Sequence, residues 1–113
     1  MVLKFSPEFR RDLRAEKSYY TEHDAAEYAK EITKRILDAC SDLKKCPQKG
    51  KSAAERFEID TDMLFLVIER YIVFYRIDGE EIEIIRLFDT RRNILFHMFG
   101  IDTNDPESDD YWN

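Results

Sequence analysis

The chain has 113 residues, 43 % of them hydrophobic and 37 % charged, with a formal net charge of −6. That length fits one domain with one core and leaves no room for two, and the charge argues against a general nucleic-acid binder. Only Cys40 and Cys46 are present, at a spacing that matches neither a zinc nor a redox motif, so they are expected as free thiols of a reducing compartment, with Cys40 in the core.

No apolar run approaches the roughly 18 residues of a membrane span, and the N-terminus opens in a strand-like segment without a signal-peptide core. A cytoplasmic protein with no membrane partner is therefore expected. The charge is uneven. Asp102, Asp105, Glu107, Asp109 and Asp110 crowd the last residues with no base among them, leaving 18 bases against 19 acids in the body. A local basic patch on that body is compatible with the total.

In chain order, Val2–Ser6 reads as a short strand. Ser6 is placed to cap a helix and Pro7 to occupy its first turn, where a missing N–H is harmless. A helix is expected over Glu8–Tyr20, with Phe9, Leu13 and Tyr20 on one stripe and Arg10, Arg11, Arg14 and Lys17 pointing elsewhere. Tyr19–Asp24 reads as a break, with Thr21 or Asp24 as the next cap; Asp24 has Glu27 three residues on. His23 in this junction reads as a surface residue.

A second helix is predicted over Ala25–Lys44 from the rhythm of Ala29, Ile32, Ile36, Ala39, Cys40 and Leu43. Glu31 precedes Arg35 by four, a favourable pair, and Lys44 and Lys45 suit the helix's negative end. Pro47 and Gly50 end it. Lys49–Ala54 reads as a polar loop, and strand alternation is expected from Arg56 through Phe57 and Ile59. Met63–Ile68 is almost continuously apolar, as a strand covered on both faces would be.

After a turn at Glu69-Arg70, Tyr71–Ile77 and Glu81–Phe88 flank Asp78-Gly79, a strong hairpin signal. With those two residues as the loop, Ile77 would face Glu80, Tyr75 Ile82, Val73 Ile84 and Tyr71 Arg86. Tyr71, Val73, Tyr75, Ile77, Ile82, Ile84 and Phe88 would then pack on the helices. Ile72, Phe74, Arg76, Glu81, Glu83, Ile85 and Leu87 would form a mixed binding face, Arg76 opposite Glu81. Ile94–Phe99 reads equally as a short helix or a final strand. The expected fold is α+β, in the order β-α-α-β-β-β, with an antiparallel meander on an αα-hairpin. Residues 1–100 form its domain and 101–113 a flexible acidic tail.

The chain has no Gly-rich phosphate loop, nucleophile elbow or metal-ligand cluster, so no cofactor or metal is expected. Arg76, Arg86, Arg91 and Arg92 belong to the last two strands or their exit. Guanidinium groups grip phosphates and carboxylates bidentately, so these four are the candidate residues for binding a nucleic-acid backbone or an acidic partner segment. The plainer reading pairs Arg76 and Arg86 with Glu81, Glu83 or Asp89. Were Arg91 and Arg92 both in a strand, they would point to opposite faces. His97 is a rim histidine or, less simply, a general acid or base. Tyr71 and Tyr75 read as core aromatics.

The ordered set Phe5-Ser6-Pro7, Asp12-Leu13, Leu43 before Pro47 and Gly50, YIVFYRI at Tyr71–Ile77 and IIRLFDTRRN at Ile84–Asn93 resembles the RelE/ParE superfamily of toxins from type II toxin–antitoxin modules. The similarity spans about Val2 to Phe99. It implies a small toxin that inhibits growth, as in plasmid stabilization, and is neutralised by a cognate antitoxin. RelE-like members cleave mRNA on the ribosome with basic residues plus a tyrosine, histidine or glutamate; ParE-like members lack that set and poison DNA gyrase. Met63–Ile68 carries no arginine where cleaving members tend to have one, and Asn93, Ile94, Leu95 and Phe96 follow Arg92 in place of a tyrosine. The resemblance thus favours the ParE-like, non-enzymatic branch. A ribosome-dependent nuclease using Arg92, His97 and Arg86 is the alternative, and a non-toxic interaction module the third reading. The acidic tail, ending in Tyr111-Trp112, is expected to fold back on the arginine-bearing face and weaken activity in cis.

Overall fold

The computed structural model describes residues 1–91 and 94–100. The elements are β1 (Val2–Phe5), α1 (Pro7–Glu22), α2 (Ala26–Asp42), a 3₁₀ turn at Pro47–Lys49, β2 (Lys51–Ser52), α3 (Ala53–Phe57), β3 (Leu64–Ile68), β4 (Tyr71–Asp78), β5 (Glu81–Asp89) and α4 (Ile94–Phe99). The fold is α+β. Its sheet has the order β1-β5-β4-β3-β2, with β1 parallel to β5 and the other neighbours antiparallel.

α1 starts where the sequence places it. The Ser6 hydroxyl accepts from the Phe9 amide at 3.0 Å and donates to the Ile85 carbonyl at 2.6 Å, so one side chain caps the helix and ties it to β5. The junction to α2 differs from expectation. α1 runs on to Glu22, the Thr21 hydroxyl bonds back to the Lys17 carbonyl, and Asp24 makes the corner at φ +59. Neither Thr21 nor Asp24 caps α2, whose N-cap is Ala25 without a side-chain bond. The His23 ring stacks on Tyr19 at 4.2 Å, its Nδ1 2.7 Å from the Tyr19 carbonyl oxygen. On α2, Arg35 pairs with Glu31 at 2.8 Å and also reaches Glu69 in the β3–β4 turn. Cys40 is buried, its thiol pushed up to about 12 by burial, and Cys46 is exposed; neither is in a disulfide.

The polar loop and the strand expected at Lys49–Ile59 are instead β2 and α3. The Ser52 hydroxyl accepts from the Glu55 amide at 3.2 Å and caps α3. Ala53 and Phe57, one helical turn apart, both turn inward, and that spacing prevails over the alternation of Phe57 with Ile59. Gly50 lies on Tyr75, whose hydroxyl donates to the Pro47 carbonyl at 2.7 Å and accepts from the Gly50 amide at 2.9 Å. A Cβ at Gly50 would collide with that ring and hydroxyl, so the residue that follows the helix stop is fixed by tertiary packing.

The hairpin forms, but in another register. Asp78 pairs with Glu81, Ile77 with Ile82, Arg76 with Glu83 and Tyr75 with Ile84, so Gly79-Glu80 are the loop, with Gly79 at φ +61. This places Ile77 across from an isoleucine, a better cross-strand partner than the expected Glu80, and keeps Arg76 across from an acid, Glu83 in place of Glu81. A slip of two keeps each side chain on its face. The bulge after Tyr75 does not: beyond it Phe74 pairs with Arg86, Val73 with Leu87 and Ile72 with Phe88. Leu87 therefore joins the helix-side core and Phe88 leaves it, the reverse of the expected assignment.

Both faces of the sheet are covered. One core lies under α1 and α2 and includes Phe9, Ile32, Ile36, Leu43, Tyr71, Val73, Tyr75, Ile82 and Ile84. The other gathers Ala53, Phe57, Phe65, Ile72, Phe74, Phe88, Ile94 and Leu95. The face expected to bind partners is thus filled by α3 and α4, and Ile94–Phe99 is a helix. β3 is less covered than its apolar sequence suggests, with Val67 exposed. β4 lies between the two cores, buried at five consecutive positions from Tyr71 to Tyr75.

Candidate functional site

The three candidate arginines among the described residues, Arg76, Arg86 and Arg91, do not converge. Arg76, near the hairpin loop, donates from Nε to Asp62 at 2.8 Å; it pairs across the ladder with Glu83, not Glu81. That bond holds the exposed Asp62 carboxyl below its ordinary value. Arg91 follows the other end of β5, which pairs with Tyr71. Tyr71 and Arg76 are five positions apart along β4, roughly 17 Å.

Arg86 is built into the fold. Its Nε and Nη2 donate to the two carboxylate oxygens of Asp12 on α1, at 2.7 and 3.0 Å. The Asp12 Oδ2 also accepts the Leu87 amide at 3.0 Å. β1 pairs with β5 only as far as Ile84, so Asp12 satisfies an amide of the strand just beyond its neighbour's reach. The guanidinium lies 4.5 Å from the centre of the Phe88 ring, and the exposed His97 on α4 approaches the same ring at 6.2 Å.

Arg91 is held differently. Its Nε and Nη2 donate to the Asp89 carboxylate at 3.1 and 2.8 Å, and its own amide adds a third bond at 2.9 Å. The Asp89 side chain is 8 % exposed, that of Arg91 72 %. Burial alone would raise the Asp89 pKa, but the Arg91 side-chain and backbone bonds, with the charges of Arg91 and Arg70, hold it below its ordinary value. Arg91 lies in a turn, so the expectation of two arginines on opposite faces of a strand does not apply to it; Arg92 is outside the described residues.

Between α1 and the end of β5, Ala15, Glu16, Tyr19, Tyr20, Asp89 and Arg91 line an open cleft of about 530 Å³. Behind it runs a polar chain. The Tyr71 hydroxyl bonds Glu16 at 3.1 Å and the Tyr20 hydroxyl at 3.0 Å, and Arg70 donates to Tyr20 from beneath the rings of Tyr20 and Tyr28. Burial, then the Glu16 charge, raise the Tyr71 phenol, so it is a neutral hydrogen-bonding core group. The cleft offers an exposed guanidinium, two tyrosines and two acids, which suits a polar segment of another macromolecule. Among the described residues no group of three or more His, Cys, Asp or Glu is placed to hold a metal ion. No helix among them is long and apolar enough to cross a membrane.

Sequence reasoning marked the arginines but missed Glu16, Tyr19, Tyr20 and Arg70 as one cluster, since they come from two elements some 50 positions apart. The family model described as the ParE toxin of the type II toxin–antitoxin system parDE matches residues 3–94. The chain belongs to the ParE toxin family. Its fold is similar to a solved structure from P. aeruginosa, titled a chromosomal ParDE TA system, with a TM-score of 0.66 and 22 % identity over 79 % of this chain and 95 % of that one. No curated protein matches significantly. For this ParE-family toxin the matched region takes in Arg76, Arg86 and Arg91 and ends before the acidic residues that follow Gly100.

Proposed function

We propose that this ParE-family toxin arrests growth by binding a macromolecular target without cleaving a bond. DNA gyrase is the target that the family resemblance suggests. Residues 1–100 act as the toxin domain, in the cytoplasm, and a cognate antitoxin neutralises it; the P. aeruginosa neighbour, titled a ParDE system, supports such a partner. Arg91 and Arg92 are the proposed contacts, and the cleft between Tyr19 and Asp89 is the setting of Arg91.

One observation carries the preference for binding over catalysis. The Arg86 guanidinium, which a nuclease would aim at the scissile phosphate, is bound through two nitrogens to Asp12. Cleavage by a 2′-hydroxyl needs a base, an acid and uncompensated positive charge around one phosphate. His97 and Arg86 both reach Phe88, but the charge of Arg86 is already neutralised there.

The test is induced expression without antitoxin, with DNA breaks and transcript ends followed together. The expected outcome is arrest with DNA breaks and intact transcripts. Transcripts cut within translated regions, with cutting lost in His97→Ala, would favour the nuclease; harmless expression would favour a non-toxic module.

A further inference from the structure

The charges of α1 are sorted by side. Asp12 and Glu16, one turn apart, face the sheet, where Asp12 holds Arg86 and Glu16 accepts from Tyr71. Arg10, Arg14 and Lys17 follow at i, i+4 and i+7 and form one exposed stripe on another side of the helix. Among the described residues Arg14 and Lys17 have no carboxylate partner, and Arg10 reaches only the Phe5 carbonyl at 3.5 Å. With Asp12 and Glu16 turned toward the sheet, and the exposed Glu8 and Glu22 confined to its two ends, the middle of α1 presents a cationic edge on a chain of net charge −6.

The stripe leads into a groove. Lys17 from α1 and Lys30, Thr33, Lys34, Leu37 and Asp38 from α2 enclose about 380 Å³. Lys34 is paired with Asp38 at 2.7 Å and Lys30 with Glu27 at 3.9 Å. The floor includes Leu37, 37 % exposed, and the Thr33 hydroxyl oxygen, buried without a partner.

Residues 101–113 carry the matching chemistry in the matching order. Five acids and no base come first, then Tyr111 and Trp112, the chain's single tryptophan. The arginines expected to receive this segment, Arg76, Arg86 and Arg91, each hold a carboxylate already, whereas the α1 stripe does not. The twelve residues from Gly100 to Trp112 span at most about 40 Å, comparable to the longest extent of the molecule, 39 Å.

We propose that residues 102–112 dock in cis along Arg10, Arg14 and Lys17, with Trp112 seated in the groove over Leu37. The docked segment masks the cationic edge of the helical hairpin from other acidic partners.

Trp112 reports its own position in the full-length protein, and the readout is independent of toxicity. At about 50 mM salt its emission should be blue-shifted and acrylamide quenching reduced about threefold against free indole. At about 1 M salt, where charges are screened within about 3 Å, both should move toward the values of an exposed indole. Arg14→Glu with Lys17→Glu should give the exposed values at low salt, and Asp109→Lys with Asp110→Lys in that background should restore docking. Both helix positions are exposed, and an unchanged far-UV circular dichroism spectrum checks the fold. Neutralising the tail (Asp109→Asn, Asp110→Asn) should undock it with α1 untouched. An exposed indole in the wild type at low salt would overturn the proposal, as would a buried one indifferent to Arg14 and Lys17. Emission that depends on protein concentration would place the segment on a second copy and equally overturn docking in cis.

Discussion

Arg86 and Arg91 make the same bond and do opposite things with it. Each presents two nitrogens to one aspartate. Asp12 lies 74 positions from Arg86 on another element, so that pair closes α1 onto β5, and both side chains are largely covered, at 30 % and 17 % exposed. Asp89 lies two positions from Arg91, so that pair closes nothing, and it leaves the arginine 72 % exposed beside a cleft. The difference teaches that a guanidinium–carboxylate fork has no role of its own. Chain separation and burial decide whether it is a clamp or a presented charge.

The largest expected effect comes from breaking the clamp. Asp12→Ala leaves Arg86 and the Leu87 amide without their acceptor, and should cost about 2–3 kcal/mol in urea unfolding, below a fully buried pair because Arg86 is partly solvated. A cycle of Asp12→Ala, Arg86→Ala and the double variant should show strong coupling, the double costing less than the sum of the singles. Additive losses would show that the two side chains act separately.

Asp89 comes next. Its carboxyl is nearly covered and accepts three bonds from Arg91, so Asp89→Asn should cost about 1–2 kcal/mol at neutral pH. Its folded-state pKa lies below the ordinary 3.8. The stability it contributes is therefore fully present above that value and lost as pH falls through the lower folded value. The gap between wild type and Asp89→Asn should close on acidification below about pH 4. A gap that stays constant into acid would sink this assignment.

The smallest effect on stability belongs to Arg91→Ala, at about 0.5–1 kcal/mol: the guanidinium is mostly in water, but its loss removes two of the three bonds to the covered Asp89 carboxylate and leaves the residue-91 amide and the Arg70 charge to hold it. A larger loss would mean that Arg91 is a clamp as well.

The long periodic helices and the meander were legible in the sequence because each repeats its pattern over several turns or residue pairs. α3 and α4 were not: five and six residues hold too few periods to separate a helical turn from a strand or a loop. The bulge was invisible because Ile84 and Ile85 are both isoleucine, and an apolar run does not reveal where its parity changes. That one residue exchanged Leu87 and Phe88 between cores, while α3 and α4 closed the face expected to be open. At the site, the arginines could be read and their fates could not. Nothing local to Arg86 points to Asp12, whereas the partner of Arg91 is its near neighbour in sequence.

The central claim is that Arg86 holds the fold and Arg91 meets the partner. Growth arrest on induced expression, measured for Arg91→Ala beside its urea midpoint, tests it most directly. The account predicts stability within about 1 kcal/mol of wild type and lost or strongly weakened arrest. Arrest that persists at full strength in a folded Arg91→Ala protein would contradict it.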